Sequence, residues 1–121
     1  MIRRLLSAVA TSLLALPAAF PVHAQDTIKI GLVTALSGQS ARAGEAITRG
    51  LQVAIDELNA AGGALGRKFE LVRRDDEATP AKGVIAAREL VYKEKVAVLF
   101  GGLDTPVSIA IVPIMNEAKV P

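Results

Sequence analysis

The sequence predicts an α/β fold built on a parallel three-stranded sheet in the order βαβαβα. Three observations predict it. Short β-branched runs alternate with stretches whose apolar residues recur at three and four, the periods of strand and helix. A turn rich in glycine, hydroxyl or acidic residues follows each strand run. Two of the helical stretches open on Thr-Pro pairs, Thr79-Pro80 and Thr105-Pro106. Alternation of this kind gives parallel strands, right-handed crossovers and helices packed on the sheet.

The first 24 residues stand apart from the fold. Arg3 and Arg4 form a basic start, residues 5–16 are an apolar run too short to cross a bilayer, and Val22-His23-Ala24 places small residues for cleavage before Gln25. This is the pattern of a signal peptide, and it predicts an exported product. No cysteine follows the run, so a lipid anchor on cysteine is not expected. Removing 24 of the 121 residues leaves 97, enough for one small domain.

The leader carries two of the 14 basic residues and none of the 12 acidic ones, so the remainder is balanced at 12 to 12. A balanced chain lacks the clustered positive charge that nucleic acid requires. The one histidine lies in the leader and there is no cysteine, so neither a zinc nor a copper site is expected, nor any other metal or cofactor. Absence of cysteine in an exported chain also means no disulfide framework.

Residues 28–33 alternate and are rich in β-branched side chains, the first strand. From about residue 43 to 60, Ala46, Ile47, Leu51, Ala54, Ile55 and Leu58 share one helical face. Gly62 and Gly63 end that helix, since glycine takes the left-handed conformation after a helix without a Cβ penalty. Residues 68–74 form a weaker strand suited to a sheet edge. Thr79 then reads as N-cap and Pro80 as first helical residue, with Val84, Ile85, Ala87, Leu90 and Val91 turned to the sheet. Residues 96–100 are continuously apolar, as in a parallel strand covered on both faces. A third helix follows Thr105-Pro106 to about residue 118, with Val107, Ala110, Ile111, Ile114 and Met115 as its stripe and Pro113 as a kink. The order stops at Val120-Pro121, where a fourth strand would begin, so the sequence is expected to be a fragment or a truncated product.

Three strand-to-helix turns, residues 34–42, 75–79 and 101–105, should lie side by side at the carboxyl ends of the strands, where open α/β sheets bind ligands. The stretch from Gly31 to Glu45 organises the first of them. Ser37 and Ser40 there either donate hydroxyl hydrogen bonds to a ligand or serve the turn itself. In the third turn, Gly101 and Gly102 let a ligand approach the backbone, and the free amides of the next helix suit a compact anion. Thr105 adds a hydroxyl, as ligand donor or as helix cap. Asp104 would repel an anion unless it points elsewhere. The glycines Gly31, Gly38 and Gly44 are spaced seven and six apart, which fits neither the dinucleotide nor the P-loop pattern. Asp75 and Asp76 read as a solvated turn paired with Arg73, Arg74 or Lys82, worth about 0–1 kcal/mol. No serine elbow, no nucleophile–base set and no supported carboxylate pair is present, so no catalytic residue is assigned and the chain is not expected to be an enzyme.

Residues 26–121 together resemble the first lobe of the type I periplasmic binding proteins, in the branched-chain amino-acid (Leu/Ile/Val) group of ABC importers. The pieces that carry this are Ile28 to Val33, Leu36-Ser37-Gly38 with Ala41 and Gly44, Gly50, Ala54 to Asn59 leading to Gly62-Gly63, Leu71-Val72 with Asp75-Asp76, Pro80, Ala86, and Gly101, Asp104-Thr105, Ala110 and Pro113. The resemblance implies the N-terminal part of one lobe, a truncated half of a doubly wound architecture. It implies a periplasmic receptor that closes on an amino acid or related small carboxylate or amide and presents it to a membrane permease. By position, Thr105 matches the hydroxyl ligand, Ser37 and Gly38 belong to the matching first turn, and Gly102 and Leu103 line the pocket. Ala43 stands where an aromatic often closes over the ligand, and Asp104 where a small residue is usual. Both departures widen the expectation to a larger or more cationic ligand. The alternatives are the ligand domain of an exported or membrane-attached receptor, and an exported α/β enzyme whose catalytic residues lie after Pro121.

Overall fold

The computed structural model describes residues 27–121; the leader and cleavage site expected from the sequence fall outside the described residues. Strand β1 (Ile28–Thr34) is followed by helix α1 (Ala41–Ala60), strand β2 (Phe69–Asp75), helix α2 (Pro80–Arg88), strand β3 (Val98–Gly101) and helix α3 (Thr105–Ala118). This is the βαβαβα order the periodicity predicts. The strands are parallel and lie in the order β2-β1-β3. Ile28 pairs with Phe69 and Ile30 with Val98.

The order has a direct consequence. The chain leaves β1 for β2 on one side, then crosses back past β1 to reach β3 on the other. Two right-handed crossovers in opposite directions place their helices on opposite faces. Helix α2 joins α3 on one face, where Val33, Ala87, Leu90, Leu99, Val107 and Ile111 belong to the main core cluster. Helix α1 covers the other face. The weaker second strand lies at a sheet edge, as its mixed pattern predicts.

Close approaches set how the helices sit. A Cβ on Gly83 would stand 2.5 Å from a Val107 methyl, so α2 and α3 pack backbone to side chain at that point. A Cβ on Gly44 would stand 1.8 Å from the Ala35 carbonyl oxygen, which presses the start of α1 onto the end of β1. At its far end α1 is held by Asn59, whose side chain donates to the Phe69 carbonyl at 2.9 Å and accepts from the Phe69 amide at 2.7 Å.

Several faces differ from expectation for the same reason. On α1 the buried residues are Gly44, Thr48 and Ile55, while Ile47 and Leu58 are exposed; the contact at Gly44 fixes the helix rotation, and hydrophobicity alone did not reveal it. On α2 the buried residues are Gly83, Ala86 and Ala87, and Ile85 is 66% exposed. The helix continues from Glu89 to Lys93 as one π-helical turn, closed by the Glu94 amide on the Glu89 carbonyl at 3.0 Å. That wider turn brings the neighbours Leu90 and Val91 both into the core. Strand β3 begins at Val98, later than the apolar run suggests, and Phe100 is 46% exposed, so β3 is not covered on both faces among the described residues. An entirely apolar cavity of about 230 Å³ lies on that face between α1 and Ile30, Phe69, Val98 and Phe100. Helix α3 runs unbroken through the exposed Pro113.

Two glycines on α1 give opposite expectations. Gly44→Ala should lower stability by about 1–3 kcal/mol, the usual cost of overpacking, because the new methyl meets backbone rather than a flexible side chain. Gly50, in the middle of the same helix with nothing within 4 Å of a built Cβ, should gain about 1 kcal/mol on change to Ala. Urea midpoints of the two variants check both, and equal midpoints would contradict the close approach at Ala35.

Candidate functional site

The three strand-to-helix turns meet at the carboxyl edge of the sheet, as expected. Because β1 is central, its turn (residues 35–40) lies between the other two. The point where the strand order reverses, between β1 and β3, is the position at which open sheets of this kind leave a crevice.

The first turn is held from the β2 side by one carboxylate. Oδ1 of Asp75 accepts the Leu36 amide and the Glu77 amide, both at 2.9 Å. Burial pushes the Asp75 carboxyl up, but hydrogen bonds from the Ser37 hydroxyl and the amides of Leu36, Glu77 and Ser37 outweigh it, and the group is held below the ordinary carboxylate value of 3.8. Ser37 is exposed yet spends its hydroxyl on Asp75. Gly38 has φ +73°, a left-handed conformation that opens the loop, and a side chain there would meet nothing.

The third turn is held from the β1 side. The Ser40 hydroxyl donates to Oδ1 of Asp104 at 3.4 Å, which links the starts of α1 and α3. Asp104 is the N-cap residue of α3, in extended conformation, and its carbonyl accepts the amides of Val107 (3.0 Å) and Ser108 (3.1 Å). Thr105 is therefore the first helical residue, not the cap. Its side chain is exposed, and its hydroxyl has no hydrogen-bond partner among the described residues. Gly102 has φ +92°, and a Cβ there would stand 2.3 Å from the Ser108 hydroxyl. Leu103 is half-buried beside it, and Ala43 is exposed on the first turn of α1.

The structure thus brings Gly102, Leu103, Asp104 and Thr105 together with the Ser37–Ser40 turn across the β1–β3 boundary. Thr79, the other expected cap, makes no side-chain cap either; its hydroxyl donates to the Glu77 carbonyl at 3.1 Å.

The acidic turn departs most from expectation. Arg74 turns away from it to Glu89 and Glu94, both at 3.0 Å, and Lys29 pairs with Glu94 at 2.8 Å. Lys82 pairs with Glu77. Asp76 is not solvated at all: it is 0% exposed. Its amide donates to the Thr34 carbonyl at 3.1 Å and its Oδ1 accepts the Ala78 amide at 2.8 Å. Glu77 and Ala78 both have left-handed φ, 49° and 54°, a strained pair for residues with a Cβ. Asp75 and Asp76 hold that turn through the amides of Glu77 and Ala78. The signal for this was the adjacency of two aspartates before a Thr-Pro; the side each one faces was not legible.

Asp75→Asn should lower stability by about 1–3 kcal/mol at neutral pH, because an amide oxygen is a weaker acceptor for several donors than a carboxylate. The folded-state carboxyl titrates below its unfolded value, so its contribution is present above about pH 4 and is lost as pH falls through the folded value. Urea midpoints for the two proteins should differ at pH 7 and converge as pH falls through the folded value of Asp75.

A family model described as periplasmic binding protein matches residues 27–121. The Leu/Ile/Val-binding protein BraC3 of Rhizobium johnstonii is 35% identical over 110 residues, covering 91% of this chain and 30% of that protein. Among solved structures, the branched-chain amino acid transporter substrate binding protein LivJ from Streptococcus pneumoniae, in complex with isoleucine, superposes with TM-score 0.75 at 36% identity, covering 79% of this chain and 28% of that one. A solute binding protein of an ABC transporter from R. palustris, in complex with benzoate, gives TM-score 0.69 at 38% identity, covering 79% and 26%. The chain spans less than a third of the length of these relatives. With its sheet order, its three converging turns and a match that covers all the described residues, the chain belongs to the periplasmic binding protein family.

Proposed function

We propose that the chain supplies part of the first-lobe wall of a solute-binding protein serving an ABC importer, with residues 1–24 as a cleaved leader and the periplasm as its compartment. The wall consists of Ser37, Gly38 and Ala43 on one side of the β1–β3 boundary and Gly102, Leu103, Asp104 and Thr105 on the other. The observation that carries this reading is the Thr105 hydroxyl. It stands exposed at the start of α3 and is not spent on capping, because Asp104 occupies the cap position. Relatives named for Leu/Ile/Val binding, and a neighbour solved with isoleucine, favour an amino acid. The neighbour solved with benzoate favours a wider class of small carboxylates, and the small Ala43 leaves room for it. The role is binding rather than catalysis, in line with relatives named as binding proteins, and the partner for release is a membrane permease.

Such a wall touches a ligand on one side, so the 121-residue chain should bind weakly. Titration of the labelled chain with isoleucine and with benzoate should shift the amide signals of residues 37–38 and 102–105 at millimolar concentration. Thr105→Ala should weaken that response by about five- to tenfold, the loss of one hydrogen bond of about 1 kcal/mol. Shifts centred elsewhere, or an unchanged response in Thr105→Ala, would remove the assignment of this edge.

A further inference from the structure

The parallel strands also bring their amino ends to one edge of the sheet, opposite the three turns. There the chain enters β2 through a tight hairpin in which Ala64 and Arg67 exchange two backbone hydrogen bonds, 2.9 and 2.8 Å. Its two central residues both have left-handed φ, 52° at Leu65 and 72° at Gly66. Such a turn favours asparagine, aspartate or glycine at the first of these positions, because other side chains are strained there. Leucine occupies it instead, and its side chain is 93% exposed. It neither relieves the turn nor packs into the fold.

Basic residues gather at the same edge. Arg67 and Lys68 follow the hairpin tip, Lys95 precedes β3, and Lys119 follows α3 just before Pro121, whose carbonyl accepts the Leu99 amide of β3. Lys68 donates to the Asn59 carbonyl. Lys95 and Lys119 also hold left-handed φ, 56° and 54°. Their side chains are exposed and form no hydrogen bond or ion pair among the described residues. At the usual strand spacing the row from β2 to Pro121 is about 14 Å wide. Of the acidic residues nearby, Glu94 is paired with Lys29 and Arg74, and Glu70 accepts the Thr27 hydroxyl. Glu57 and Glu117 stand on the last turns of α1 and α3. Cations beside helix ends complement the helix dipole, which accounts for the two lysines but not for a leucine at the tip.

The path of the chain points to what meets this edge. Nη2 of Arg67 donates to the Thr27 carbonyl at 3.0 Å, so β1 begins beside the hairpin. Residues 17–26 can span at most about 35 Å, and before them comes the apolar run of residues 5–16. A run held in a membrane keeps the amino edge within that distance of the lipid headgroups. We propose that the amino edge of the sheet is a contact surface for an anionic membrane, with Leu65 entering the headgroup region and Lys68, Lys95 and Lys119 facing the lipid phosphates. The proposal rests on the reading of residues 1–24 as a leader and concerns the chain while that leader is attached. The tether raises the local concentration of headgroups, so a contact too weak to hold a free domain suffices.

The sequence has no tryptophan, so Leu65→Trp in the 121-residue chain places a single indole at the tip. Its emission should shift to the blue with phosphatidylglycerol vesicles, and lipids brominated near the headgroup should quench it. Ile109→Trp, at another exposed apolar position on α3, should show neither change. Lys95→Gln and Lys119→Gln should each weaken binding to those vesicles by about fivefold at low salt, and should leave binding to phosphatidylcholine vesicles unchanged. Leu14→Arg, which interrupts the apolar run, should weaken attachment as a whole. Attachment unchanged in Leu14→Arg counts against the leader and, with it, the tether. Attachment that depends on Leu14 but brings no blue shift at position 65 counts against the edge alone. An equal shift at position 109, or lysine variants that bind like the unmodified chain, would also overturn the edge as a membrane surface.

Discussion

Everything at the carboxyl edge of the sheet depends on how the chain leaves the central strand. At the end of β1 the Thr34 carbonyl accepts the Asp76 amide, and the next carbonyl, that of Ala35, lies against the backbone of Gly44. The Leu36 amide then goes to Asp75. Three successive residues are thus committed to β2, α1 and β2 again before the loop opens at Gly38. A side chain larger than hydrogen at position 44 would separate α1 from β1, and with it Ser40 from Asp104. The position of α3 relative to α1 follows from this contact.

Asp75 and Asp76 show how one strand period divides chemistry. Alternation along β2 sends Asp75 to the side of the first turn, where amides and a hydroxyl converge on it and hold it ionised. Asp76, one residue past the end of β2, is buried and meets one amide. Burial pushes its carboxyl up, with the charges of Asp104 and Asp75 acting in the same direction. The residue type is the same and the environments are one position apart, yet the two carboxyls move in opposite directions. Both serve the same turn. The strained left-handed pair Glu77 and Ala78 is held by one aspartate each.

The two faces of the sheet are unequally covered. Helices α2 and α3 meet at Gly83 and close one face with a continuous aliphatic core. On the other face α1 leaves an apolar cavity beside Phe100. The chain corresponds to less than a third of the length of its relatives, and on the β3 edge the Leu99 amide donates to the Pro121 carbonyl at 2.8 Å.

The sequence by itself determined the kinds of element, their order and the parallel sheet, because strand and helix periods and turn residues are local properties carried by runs such as Ile28 to Val33 and by glycines such as Gly62. It also brought the three turns to one edge of the sheet, since their placement follows from the order alone. Tertiary structure decided the rest. The position of β1 between β2 and β3, the rotation of α1 about Gly44, the cap at Asp104 that frees Thr105, and the burial of Asp76 all depend on contacts between residues far apart in the chain. Such contacts leave no periodic trace in the sequence, since a buried aspartate and a solvated one are written with the same letter.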